Sequence, residues 1–159
     1  MKREQRREFF EFVGLLAVVG SLIFLALEIR QNTAVVSGQS INEIYDAVRE
    51  IDLITFADPD LTRITLTTVD NVHELSESDL QQYEMYLVLM IEVWERAIMR
   101  ENDGLIDSST VNSWHIYYAD FVARHVTREI WDRIRWNWKE PELHERVARA
   151  MNNTAASTN

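Results

Sequence analysis

Phe12-Val-Gly-Leu-Leu-Ala-Val-Val-Gly-Ser-Leu-Ile-Phe-Leu-Ala-Leu27 is an unbroken apolar run, preceded by Phe9 and Phe10. Taken from Phe9 to Ile29 it has about 21 residues, near the roughly 20 that a helix needs to cross a bilayer core. Glu11 and Glu28 fall within those limits, but each lies near an end, where a carboxylate reaches the headgroups. The segment is apolar on every face, unlike the surface helix of a small domain, which keeps a polar side. The run therefore predicts a membrane anchor.

The flanks set its direction. Lys2, Arg3, Arg6 and Arg7 precede the run, whereas Arg30 is the only basic residue soon after it until Arg49. Basic residues stay on the cytoplasmic side, so the N-terminus is expected inside and the chain from Gln31 onward outside. A cleaved signal peptide is the competing reading. No small-x-small cleavage site follows the run, so an uncleaved signal anchor is expected.

Outside the anchor about 130 residues remain, enough for one modest core. The chain has no cysteine, so it has neither disulfide staples nor thiol chemistry. Its formal net charge is −10, concentrated in the middle: residues 40–107 carry 16 acidic and 4 basic side chains, a balance of −12. Nucleic acid requires a basic footprint and is excluded as a partner on this reading.

Four glycines, two prolines and little β-branched alternation predict an all-α chain. Ile41, Ile44, Val48, Ile51 and Thr55 recur at spacings of three and four, a narrow seam of coiled-coil type. The anchor is accordingly expected to continue, with a bend near Gly38, as a stalk ending at Asp58-Pro59. A short threonine-rich helix is expected over 60–69. Ser76-Glu-Ser-Asp79 has the form of a capping box and opens a helix over 77–102. Leu80, Tyr83, Leu87, Met90, Trp94 and Ile98 give its main face. Met85 to Ile91 is apolar nearly all round, which marks this as the central core helix. Gly104 is the natural left-handed residue past its end. Asp107 or Ser108 caps the next helix, with Val111, Trp114, Tyr118, Phe121 and His125 facing inward. A Trp-rich helix over 127–138 and a last helix over 142–151 complete the bundle. The expected divisions are a cytoplasmic basic N-terminus over 1–8, a transmembrane helix over 9–29, a helical stalk over 30–57, a helical bundle over 58–151 and a flexible tail over 152–159.

Chemistry has little to hold on to. A di-metal bundle site needs Glu-x-x-His on two helices, and the sequence has none; Glu92 and Glu95 form only Glu-x-x-Glu, with Glu92 placed to pair with Arg96. His73 falls in a predicted loop, His115 and His144 read as exposed, and His125 reads as a satisfied core histidine. Ser108, Ser109 and Ser113 lie near His115, but helix starts account for serines. No nucleophile elbow, P-loop or dinucleotide glycine pattern occurs. We therefore expect no catalytic residue, no metal site and no cofactor.

Two surfaces invite contact instead. In Trp131-Asp-Arg-Ile-Arg-Trp-Asn-Trp138-Lys139, Trp131, Ile134 and Trp138 share a core-facing side. Arg133, Arg135, Trp136 and Lys139 fall off it, in a mixture suited to a membrane interface. Within the anchor Gly14, Ala17 and Ser21 lie on one side with Gly20 beside them, and small residues let membrane helices approach closely. Together with the seam at Ile41, Ile44, Val48 and Ile51, they form the expected helix-packing interface.

Leu22-Ile-Phe-Leu-Ala-Leu-Glu-Ile-Arg-Gln-Asn-Thr33 resembles the end of the anchor in a group of proteobacterial single-anchor membrane proteins, where Tyr and Gln stand in place of Phe24 and Glu28. Asp103-Gly-Leu-Ile-Asp107 followed by Trp114 resembles that group's second half. The resemblance implies one anchor leading into a helical domain, and it implies no activity. The whole reading is a bacterial inner-membrane protein, N-terminus cytoplasmic and C-terminal domain periplasmic. Membrane lipid and either further copies of itself or other membrane-complex subunits are its expected partners. The alternative is a module binding a lipid or apolar small molecule between its helices, lined by Met85, Met90, Trp94 and Phe121.

Overall fold

With two prolines in the chain, both near element starts, little interrupts helix formation, and the computed structural model is all-α, with no strand among the described residues. It describes the backbone over residues 3–157 and side chains over 7–152. Of the residues expected to mark the two ends, Lys2, Thr158 and Asn159, and the side chains of Arg3 and Arg6, lie outside the described residues. Two compact units divide between Gln39 and Ser40.

The first unit consists of the N-terminal part of α1 (Arg3–Ala57), a 55-residue helix that runs through Gly38 unbroken. Every described side chain over residues 7–35 is exposed. The most apolar window of this helix has a mean hydropathy of 2.5 and none of it is buried within the protein. The hydroxyls of Ser21 and Thr33 donate back to the carbonyls of Ala17 and Ile29, at 2.8 and 2.9 Å, which satisfies both polar groups within the helix. One helix long and apolar enough to cross a membrane is therefore present.

The second unit is built from the C-terminal end of α1, α2 (Pro59–Thr65), α3 (Glu77–Asn102), α4 (Ser108–His125), α5 (Arg128–Ile134) and α6 (Pro141–Ser157), with 3₁₀ turns at Val72–Glu74 and Arg135–Asn137. Its helices begin where side chains accept from orphaned amides: Asp58 from Asp60 N and Leu61 N, Ser76 from Asp79 N, Asp107 from Thr110 N, and Thr127 from Ile130 N. Gly104, at φ 68°, is the one described residue at positive φ and reverses the chain after α3. Helix α3 is central: Tyr83, Leu87, Met90, Ile91, Val93, Trp94, Ala97 and Ile98 are buried on it, and it packs on α2, α4, α5 and α6. Helix α4 also lies along α6.

Several boundaries differ from the sequence expectation. The seam does not form a free stalk to residue 57: Ile44 and Ile51 are buried in the bundle core, with Ile41 and Val48 packed against it. Residues 40–57 thus belong to the second unit. A three-four seam specifies that a helix has a partner, not which partner, and here it is the chain's own bundle. Helix α2 stops at Thr65 rather than 69, because Asn71 Oδ1 accepts from Thr68 N at 2.8 Å and turns the chain. Helix α5 ends at Ile134 and tightens into a 3₁₀ turn, and α6 carries on to Ser157, past the expected end at 151.

Candidate interaction surfaces and buried networks

Three polar residues from two helices meet in the core. Trp94 and Glu101 lie two turns apart on α3, and His115 of α4 sits between them. Trp94 Nε1–H donates to His115 Nδ1 at 3.0 Å, which leaves the imidazole proton on Nε2, 2.7 Å from Glu101 Oε2. Trp94 is 1% and His115 9% exposed, so His115 is buried, contrary to the sequence expectation. Arg146 of α6 stands 3.9 Å from Glu101 and 2.6 Å from Glu142, which in turn accepts from Asn102. The hydrogen bond from His115 holds the Glu101 carboxyl below the usual carboxylate range, helped by Ser108 and Arg146 and opposed by burial. A histidine–carboxylate pair activates a nucleophile through its second nitrogen; here that nitrogen is occupied by a buried indole. The pair acts as a strut joining α3, α4 and α6.

A second network ties the loop after α2 to the bundle. His125 is half-buried and its Nδ1–H donates to the Thr67 carbonyl at 2.7 Å. Burial pulls its pKa below 6.5, with the neighbouring Arg124 acting in the same direction. The Tyr83 hydroxyl lies 2.9 Å from the Thr67 carbonyl and 2.8 Å from that of His125, and its single proton serves one at a time. His125 is thus the satisfied histidine the sequence suggests. His144 is half-buried rather than exposed, with Nε2 3.1 Å from the Trp138 carbonyl and its ring edge-on to Trp131. His73 is exposed. No group of three potential metal ligands gathers among the described residues.

The Trp-rich segment divides by face. Trp131 and Trp138 stack at 5.6 Å in the core with Ile134, and Trp136 is 76% exposed. Arg133 is drawn to Glu84 at 2.6 Å and Glu129 at 2.8 Å, and Arg135 to Asp132 at 3.5 Å. Ion pairs thus engage both arginines of the four residues expected at a membrane surface, leaving Trp136 and Lys139 outside them. The basic character of the patch is mostly neutralised locally.

An apolar groove lies elsewhere in the second unit. Ile51 and Ile54 of α1, Leu61 and Ile64 of α2, and Met85 and Leu89 of α3 line it, enclosing about 190 Å³. Met85 is 61% exposed there, whereas Met90, Trp94 and Phe121, expected to line a pocket with it, are packed into the closed core. The groove is legible in the sequence only as a surplus: Met85 to Ile91 is apolar nearly all round, more than one core face requires. At the adjoining end of α1, Leu53, Ile54 and Phe56 are exposed, Phe56 by 69%.

On the apolar part of α1, Gly14, Ala17, Gly20 and Ser21 are all exposed. A Cβ added at Gly14 or Gly20 meets nothing within 4 Å, so the chain's own packing does not require either glycine. No protein-family model matches the chain, and neither the curated proteins nor the solved structures contain a match.

Proposed function

We propose that this protein is a membrane-anchored assembly module, self-associating or serving as an accessory subunit of a larger membrane complex. Its N-terminus is cytoplasmic and its helical unit lies on the periplasmic side of a bacterial inner membrane. The observation that carries the reading is an apolar stretch of helix left exposed among the described residues. The second unit has a closed core of its own, while none of the candidate span is buried. Lipid satisfies such a helix, and the small-residue side at Gly14, Ala17, Gly20 and Ser21 adds a surface on which another helix can pack closely. Polar constellations support this by their employment: His115, Glu101, His125 and Tyr83 are committed to holding helices together.

Mass determination of the protein, extracted gently from its native membrane in detergent, tests the reading. Discrete multimers, or a fixed ratio with other chains, are the expected results. A bare monomer overturns it. Orientation is tested separately by protease added to intact spheroplasts, which should digest the helical unit and spare the N-terminus.

A further inference from the structure

We propose that the junction of α1, α3 and α4 binds a primary organic ammonium ion, with Asp52 as its counter-ion and Tyr86, Tyr117 and Tyr118 supplying aromatic surface and phenol oxygens. The site is independent of self-association and uses none of the residues of the expected packing interface.

Four oxygen-bearing side chains from three helices meet there. Tyr117 and Tyr118 are neighbours on α4, with their rings edge to face at 5.1 Å. Tyr86 of α3 meets Phe121 of α4 at 6.0 Å, and Tyr118 stacks on Trp94 at 5.9 Å. Asp52 comes from α1, whose Tyr45, two turns earlier on the same side, meets Trp114 of α4 edge to face at 5.4 Å. Burial pushes the Tyr86 hydroxyl up to about 12, and the electrostatic influence of Tyr117 and Asp52 acts in the same direction. Burial likewise pushes up Tyr118, which also feels Tyr117, Tyr86 and Asp52. Asp52, Tyr86, Tyr117 and Tyr118 thus form one electrostatic cluster.

None of the four polar groups is employed in holding the fold. The hydroxyls of Tyr86, Tyr117 and Tyr118 make no hydrogen bond among the described residues, and Asp52 makes no ion pair among them. Tyr118 is 2% exposed, yet no fully buried side-chain nitrogen or oxygen lacks a partner among the described residues. Its free hydroxyl therefore reaches the surface at this junction. Nearby cations are already engaged: Asp46 takes Arg49 at 3.1 Å, and Asp120 takes Arg124. Tyr117, half exposed, keeps the cluster open to solvent.

An uncompensated carboxylate selects a cation, and the balance of −12 over residues 40–107 adds a field of the same sign. A metal ion requires several hard ligands, and no group of three gathers among the described residues. Aromatic rings attract a weakly hydrated organic cation through their quadrupole instead. An ammonium group has N–H donors and no acceptor, which matches a carboxylate and phenol oxygens without internal partners. A free alkylamine and the headgroup of an aminolipid present this same chemistry.

Isothermal titration calorimetry of the full chain in a maltoside detergent tests the site, with butylammonium chloride as the probe and 1-butanol as its uncharged counterpart. Butylammonium should bind saturably and 1-butanol should not. Asp52→Asn should weaken binding about tenfold, and Tyr117→Leu about threefold to fivefold. Both residues lie outside the core, so the unfolding midpoint should stay unchanged in each variant. Water-soluble dihexanoyl phosphatidylethanolamine distinguishes the sources: tighter binding than butylammonium assigns the site to a lipid headgroup, and equal or weaker binding assigns it to a free amine. Absence of saturation by either ammonium compound up to about 10 mM overturns the proposal. Equal binding of 1-butanol, or undiminished binding by Asp52→Asn, overturns it as well.

Discussion

Replacing His115 by alanine removes two interactions at once: the acceptor for the Trp94 indole N–H and the donor to Glu101. The indole nitrogen belongs to a residue 1% exposed, so water does not replace the lost acceptor freely, and an orphaned buried donor costs about 1–3 kcal/mol. Truncating the ring leaves a void against Trp94, adding about 1 kcal/mol. Glu101 loses less, because Arg146 stays 3.9 Å away. The sum is about 2–4 kcal/mol. At about 4 °C per kcal/mol for a domain a little over 100 residues, the melting midpoint should fall by about 8–16 °C. The assay is urea and thermal unfolding of the full chain in detergent, read by near-UV circular dichroism and tryptophan fluorescence. Trp94→Phe and the double variant complete a cycle, in which the direct hydrogen bond should appear as a coupling of about 1 kcal/mol or more. A loss under about 0.5 kcal/mol for His115→Ala, or no coupling with Trp94, refutes the strut.

The two titratable ties predict acid sensitivity in separate windows. His125 has its folded pKa lowered from 6.5 by burial, so the unfolded chain takes up its proton first; stability is full above pH 6.5 and declines as pH falls toward the folded value. Glu101 is lowered from 4.5 mainly by the His115 hydrogen bond, and its contribution is full above pH 4.5 and lost as pH falls through its folded pKa. Urea midpoints measured against pH should show both declines, and His125→Gln should remove the upper one. Gly104→Ala should destabilise by about 1–2 kcal/mol in the same unfolding assay, because φ is 68° while the space for a methyl is open. Trp131→Ala should cost about 3–5 kcal/mol, whereas Trp136→Ala should change stability by no more than about 0.5 kcal/mol; similar losses for the two would contradict the division of the Trp-rich segment into a buried and an exposed face. Gly20→Leu should leave unfolding of the helical unit unchanged and reduce the multimers found by mass determination of the detergent-extracted protein.

Local rules carry a large part of this fold. Asp58, Ser76, Asp107 and Thr127 start helices because their side chains meet amides two or three residues on, and Gly104 ends α3 because it lacks a Cβ; such interactions span a few residues and are readable in one dimension. The core faces of α3 and α4 follow in the same way from helical periodicity. The long apolar helix is legible too: the run predicts a helix long enough to cross a bilayer, and α1 has that length and composition with every described side chain over residues 7–35 exposed.

Partnership is decided only in three dimensions. The seam at Ile41, Ile44, Val48 and Ile51 shows the same spacing whether it meets a second copy or its own bundle, and the tertiary fold assigns it to the bundle. His115 reads as exposed because periodicity does not reveal that Trp94 and Glu101, 21 and 14 residues away, close on it from another helix. Arg133 reads as available to lipid until Glu84, 49 residues earlier, neutralises it. Met85 and Leu89 read as core until α1 and α2 leave a groove beside them. Spacing along one helix determines which side chains share a face; which faces find each other depends on the packing of all the helices at once, and only the folded chain settles it.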